Sequence, residues 1–244
     1  MKRILLAALI ACGSLAALAA PVPKDKEAAL PPPTEKQLET SKNNLKQIGI
    51  AVITFSDADK NGHMPCNSTD KDGNFLLSWR VQILPYLEEG ALFNQFKLDE
   101  PWDSKTNKPL VEKIPKVYAP IRVKAKKGET YYRGFNGSDT AFDVGKLVFF
   151  PRSFADGTSN TILAVEAAEP CVWSKPDDLP YDAMKPLPKL GGLFNGDFHV
   201  VFADGTVKTG SSKKMDADEF RLLLTMSDGQ NMNAEKALGI DVKK

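Results

Sequence analysis

The chain has 244 residues, 32 basic against 31 acidic side chains and a formal net charge of +1. That balance excludes an electrostatic case for nucleic acid, and no basic stripe with interleaved aromatics is present. Hydrophobic residues make up 42%, ordinary for a globular domain, while 17 Pro and 17 Gly imply many turns and irregular connections.

Residues 1–20 read as a leader. Lys2 and Arg3 form a charged start, an apolar run begins at Ile4, and Ala17-Leu18-Ala19 offers a small-x-small cleavage site. Leu9-Ile10-Ala11-Cys12 overlaps this as a lipobox, which would make Cys12 the lipidated N-terminus. Both readings send the protein out of the cytoplasm, the first free and the second tethered to a membrane by its lipid. Residues 21–33, rich in Pro, Ala and charge, read as a tether, and residues 34–244 as a single domain. Roughly 200 residues are enough for one buried core.

The longest element expected is a helix from Thr34 to Gly62. Pro31 to Pro33 end what precedes it, and Thr34 with Gln37 has the spacing of a capping box. Leu38, Leu45, Ile48, Val52 and Phe55 form one apolar stripe, with small Ser41 in the gap. Residues 48–55 are rich in β-branched side chains and taken alone could pass for a strand. After a polar loop, residues 76–84 read as a buried helical segment, kinked or restarted by Pro85. Residues 97–130 are lysine-rich and irregular, with a short helix near Lys108 to Lys113.

From Thr130 the pattern changes to short extended runs at residues 130–135, 146–150 and 161–166. Residues 198–208 read as a hairpin, with Asp204-Gly205 as the two positive-φ positions of a type I′ turn. Asp216 and Glu219 form a second capping box and open a helix running towards Gly229. The order predicts an α+β domain, a long N-terminal helix packed on an antiparallel sheet.

Several strings together resemble one family: Asn43-Asn44-Leu45-Lys46-Gln47-Ile48-Gly49, Leu77-Ser78-Trp79-Arg80-Val81, Leu84-Pro85-Tyr86-Leu87-Glu88, Glu100-Pro101-Trp102-Asp103-Ser104, Asp156-Gly157-Thr158-Ser159-Asn160-Thr161 and Phe202-Ala203-Asp204-Gly205. They look like the planctomycete family known as domain of unknown function 1559 (DUF1559), whose members are pseudopilin-like. The resemblance runs from about Ser41 to Gly229. It implies a pilin or pseudopilin-like helix-on-sheet fold and no established catalytic activity. The chain departs from the family pattern in two places. It lacks the Glu of a prepilin-type helix in residues 4–20, and Phe194 stands where the family often has a His ahead of Asp-Gly, with His199 at a different spacing.

Candidate chemistry is sparse. Asp57-x-Asp59-x-Asn61-Gly62 matches the first half of an EF-hand loop, but its twelfth position is Ser68 rather than Glu. A helix-ending turn competes with calcium binding there, and Asp70, Asp72 and Asn74 could add oxygens. Glu166 and Glu169, with Asp156, are the only carboxylate cluster suited to hydrolysis, and strand alternation sets the two Glu on different sides. His63 and His199 have no metal-ligand spacing, and His199 is expected to face solvent from the hairpin. Cys66 and Cys171 are either a disulfide, worth about 4–5 kcal/mol by chain entropy, or two separate thiols. Trp102 either anchors its loop in the core or marks a surface for a protein partner. The expectation is an exported, non-enzymatic structural or adaptor protein without a cofactor. Its alternatives are a calcium- or small-ligand-binding module and a hydrolase using Glu166.

Overall fold

The computed structural model describes residues 30–122 and 125–240; the leader, Cys12 and the tether up to residue 29 lie outside them. Thr34 caps helix α1 (Glu35–Ala58). Its side chain accepts from the Gln37 amide while the Gln37 side chain accepts from the Thr34 amide, closing the expected capping box. Ser41, Leu45, Ile48 and Val52 line the buried face of α1, and Phe55 packs beside them. The β-branched run stays helical because this face is filled by the sheet, and tertiary packing outweighs a preference of a few tenths of a kcal/mol per residue, about 0.7 at most.

The 76–84 segment contributes one turn of helix, α2 (Trp79–Gln82), capped by the Ser78 hydroxyl. Pro85 then sits in the first turn of a 3-10 segment, Leu84–Leu87, before α3 (Gly90–Phe93). The lysine-rich stretch holds two further 3-10 turns, Lys108–Glu112 and Lys116–Tyr118.

Four antiparallel strands make the main sheet, in the order β1 (Glu129–Arg133), β3 (Ile162–Val172), β5 (Asp197–Phe202) and β6 (Val207–Ser211). A separate parallel pair joins β2 (Phe135–Asn136) to β4 (Leu179–Pro180). This is the α+β arrangement that the order of elements implies. Residues 146–150 differ from expectation, forming only an isolated bridge between His63 and Phe149. A turn at Asp143 to Gly145 and the Pro151 ring close the segment off at both ends.

The hairpin exists, but its turn differs. Only Gly205 has positive φ, at 80°. Its amide bonds the Phe202 carbonyl, and the Phe202 amide bonds the Thr206 carbonyl. The connection is therefore a three-residue loop ending in a left-handed Gly. Asp204 stays in the ordinary region because its carboxylate accepts from the Thr206 amide and hydroxyl. The last helices are α4 (Ala217–Leu222) and α5 (Ala234–Leu238). Asp216 caps α4, but Glu219 reaches the Asn233 amide and Lys236 instead of turning back, so that capping box is half formed and α4 ends well before Gly229.

Both faces of the sheet are covered. Phe198, Val200 and Phe202 of β5 pack with Phe220, Leu223 and Leu238 on the side of α4 and α5, whereas Val201 and Ala203 pack with the Leu45, Ile48 and Val52 stripe. Gly49 permits that second contact, since a Cβ there would lie 2.5 Å from Val201 Cγ2. No helix among the described residues is long and apolar enough to cross a membrane.

Candidate functional site

Strand alternation on a sheet covered on both faces decides where the polar side chains of β3 and β5 go. Val165 pairs with Val200, so Glu166 and His199 are neighbours on the face under α1. Tyr132 of β1 pairs with Glu166 from the other side. Ser41, the small residue in the α1 stripe, closes the cluster from above. Ser41, Glu166 and His199 are 0%, 1% and 0% exposed, so the expectation of a solvent-facing His199 is corrected. Reading a two-residue period as in-and-out fails for a strand with cover on both sides.

The contacts are tight. The Ser41 hydroxyl donates to Glu166 Oε1. His199 Nδ1 lies 2.8 Å from Glu166 Oε2 and 3.2 Å from Ser41 Oγ, and the His199 amide donates to Oε2 at 3.0 Å. Tyr132 Oη lies 3.5 Å from Ser41 Oγ and accepts from Asn44 Nδ2 at 3.4 Å. Burial pushes the Tyr132 phenol well up, and the Glu166 charge adds to that. His199 Nε2 has no hydrogen-bond partner and the ring meets Phe194 edge-on at 5.1 Å. Phe194 thus seals the imidazole. Ser, His and carboxylate are all present, but Ser41 and Glu166 share one imidazole nitrogen. A hydrolytic triad needs them on opposite nitrogens, with room for substrate beside the Ser.

A second buried cluster lies around Arg80, from the Ser78-Trp79-Arg80 string. Its guanidinium and Asp178 are both fully buried and form an ion pair at 2.9 Å. Arg80 also donates to the Tyr132 carbonyl and the Ser78 hydroxyl. Asp178 accepts from Asn67, the Trp79 indole and the Gly134 amide. Burial alone would raise the Asp178 carboxyl, but Arg80 and these donors hold it below the usual carboxylate range.

The other predicted residues are scattered. Asp57 is exposed on the last turn of α1, and Asp59 is its C-cap. Asp59 Oδ1 accepts from the His63 and Asn61 amides and the His63 ring, which holds its pKa at about 2. Asp70 likewise accepts from the Asp72 and Asn74 amides. These carboxylates shape turns, and among the described residues no group of three or more His, Cys, Asp and Glu could hold a metal. Glu169 is exposed while Glu166 is buried, as alternation implied, and Asp156 accepts from the Asp228 and Gly229 amides. Cys66 and Cys171 are free, the first exposed and the second buried, so the structure holds separate thiols rather than a disulfide. Trp102 is partly buried against the core, the anchoring alternative, and its amide bonds the Leu76 carbonyl. A cleft of about 350 Å³ is lined by Met64, Cys66, Asn67, Phe142, Leu147 and Val148 and includes none of the Ser41 cluster.

Residues 39–145 match the family model described as "Protein of unknown function (DUF1559)". The match supports the DUF1559 family over that segment. The segment contains Ser41, Gly49, Tyr132 and every member of the Arg80 cluster except Asp178. Glu166, Asp178, His199 and the Asp204-Gly205 turn lie beyond it. No curated protein and no solved structure matches the chain.

Sequence reasoning missed the Ser41–Glu166–His199 cluster and Asp178. One signal was available for the first: a Ser interrupting the apolar stripe of α1 at a position that must be buried.

Proposed function

We propose that this protein is an exported, non-enzymatic structural or adaptor module, a pseudopilin-like helix-on-sheet body sent out of the cytoplasm by its leader. One observation carries the reading: the nucleophile, imidazole and carboxylate that the fold gathers are sealed in the interior and spent on one another. The DUF1559 strings support it, because their side chains act as packing and capping groups. Ser78 caps α2, Arg80 pairs with Asp178, and Gly49 admits β5 against α1.

Export comes from Lys2, Arg3, the apolar run and the Ala17-Leu18-Ala19 site, with a lipid on Cys12 as the anchored form. The test is an intact mass and N-terminal sequence of the protein from its own cells, combined with a fluorophosphonate probe for reactive serines. The expected result is a chain starting at Ala20 or an acylated chain starting at Cys12, with no probe on Ser41. A full-length chain from Met1 would sink export, and stoichiometric labelling of Ser41 in the native protein would sink the non-enzymatic reading.

A further inference from the structure

The Ser41 cluster is a poor site for an outside substrate, yet it contains every part of an acyl transfer, with its own carboxyl as the acyl donor and its own hydroxyl as the acceptor. We propose that Ser41 and Glu166 condense to an internal ester that ties α1 to β3, with His199 as the proton relay. The hydroxyl of Ser41 is the nucleophile and sits on Glu166. His199 Nδ1 reaches both Ser41 Oγ, at 3.2 Å, and Glu166 Oε2, at 2.8 Å. The backbone amide of His199 holds Oε2 at 3.0 Å, fixing which oxygen departs. A shared imidazole nitrogen is wrong for hydrolysis of a bound substrate. It is right for moving one proton between two groups that react with each other.

The balance is that of a condensation. Glu166 enters the step as the neutral acid, its ionised form having taken one proton from solvent; the Oγ–Cδ bond forms and the Cδ–Oε2 bond breaks. The hydroxyl proton passes from Oγ through Nδ1 to Oε2, and one water leaves. No oxidant, reductant or second substrate is needed. Groups held this way react with effective molarities of about 10⁵ M or more, which offsets the tendency of water to reverse the step. Reversal also needs water at Cδ, and the three residues are 0–1% exposed. Asn44, bonded to Tyr132, also lines a surface groove with Thr40, Gln47 and Lys116, and the released water leaves on that side. The product would be a covalent helix-to-sheet link spanning 125 residues of sequence. It is a single self-modification and does not depend on the function proposed above.

The experiment is peptide mass mapping of the full purified protein, digested with trypsin at neutral pH. The expected result is peptide 37–42 joined to peptide 153–189, lighter than their sum by one water, about 18 Da. Mild hydroxylamine separates them, and Ser41→Ala yields only the free peptides. In His199→Gln, the linkage forms about 10²-fold more slowly. Recovery of both wild-type peptides unlinked and at full mass overturns the proposal, and this reading does not depend on any variant folding. A water loss that maps instead to an Asp-Gly bond such as Asp156-Gly157 also overturns it. Equal linkage rates in His199→Gln and wild type overturn the relay.

Discussion

The two buried polar clusters obey different rules. Around Arg80 and Asp178 a full charge pair is buried, and its charged heads are surrounded by hydrogen-bond partners: Tyr132 and Ser78 for the cation, Asn67, Trp79 and Gly134 for the anion. Around Ser41 the groups crowd onto one carboxylate, and His199 Nε2 is left without a partner. A buried ion pair survives only when such a shell offsets desolvation, so the first cluster reads as a fixed joint. The second has one hydrogen-bonding atom unspent and its hydroxyl, imidazole and carboxylate in mutual contact, the arrangement that the proposed internal ester requires.

The sharpest way to break this contrast is Asp178→Ala. It strands a buried guanidinium and is expected to cost about 3–5 kcal/mol in urea unfolding, enough to unfold much of the protein. A loss under about 1 kcal/mol would show that Arg80 finds water or another partner. The same pair predicts an acid limb. Asp178 is held below its ordinary value of 3.8, so its contribution is complete above that value and is lost as pH falls through the lower folded pKa. Asp178→Asn should therefore flatten the stability profile below about pH 4, read by thermal melts across pH.

His199→Phe tests the other side. It removes the orphan nitrogen but leaves Glu166 with Ser41 and the residue-199 amide, so the expected cost is about 1–3 kcal/mol, less than for Asp178→Ala. A larger loss than in Asp178→Ala would reverse the ranking of the two clusters. Gly49→Ala probes the approach of α1 that closes the Ser41 cluster. Its Cβ would lie 2.5 Å from Val201 Cγ2, and about 1–3 kcal/mol of overpacking is expected in the same unfolding assay. Thr34→Ala, at the exposed start of α1 and remote from the Arg80 pair, should cost only about 1 kcal/mol by removing the cap. It calibrates how strongly α1 alone governs stability.

Much of the fold was legible because its signals are local. Thr34 and Gln37, the Leu45-Ile48-Val52 stripe and the Asp204-Gly205 hairpin each sit within a few residues of their partners. The candidate site was not legible, because Ser41 and Glu166 are 125 residues apart and Ser41 and His199 are 158 apart. The turn type at Asp204 failed for a related reason: Asp-Gly permits two turns, and the Thr206 side chain chose between them.

The sequence by itself determined the capped helix, the change to short strands, the α+β order and the turn-forming role open to Asp59, since these depend on backbone preferences and short-range hydrogen bonds. The tertiary structure alone decided that β5 is covered on both faces, that His199 is therefore buried, and that Arg80 finds Asp178. Burial is a property of what lies above and below a strand, and no local pattern reports a second layer of cover. For the same reason the chemistry of Ser41 is set by the sheet beneath it rather than by its neighbours in the chain.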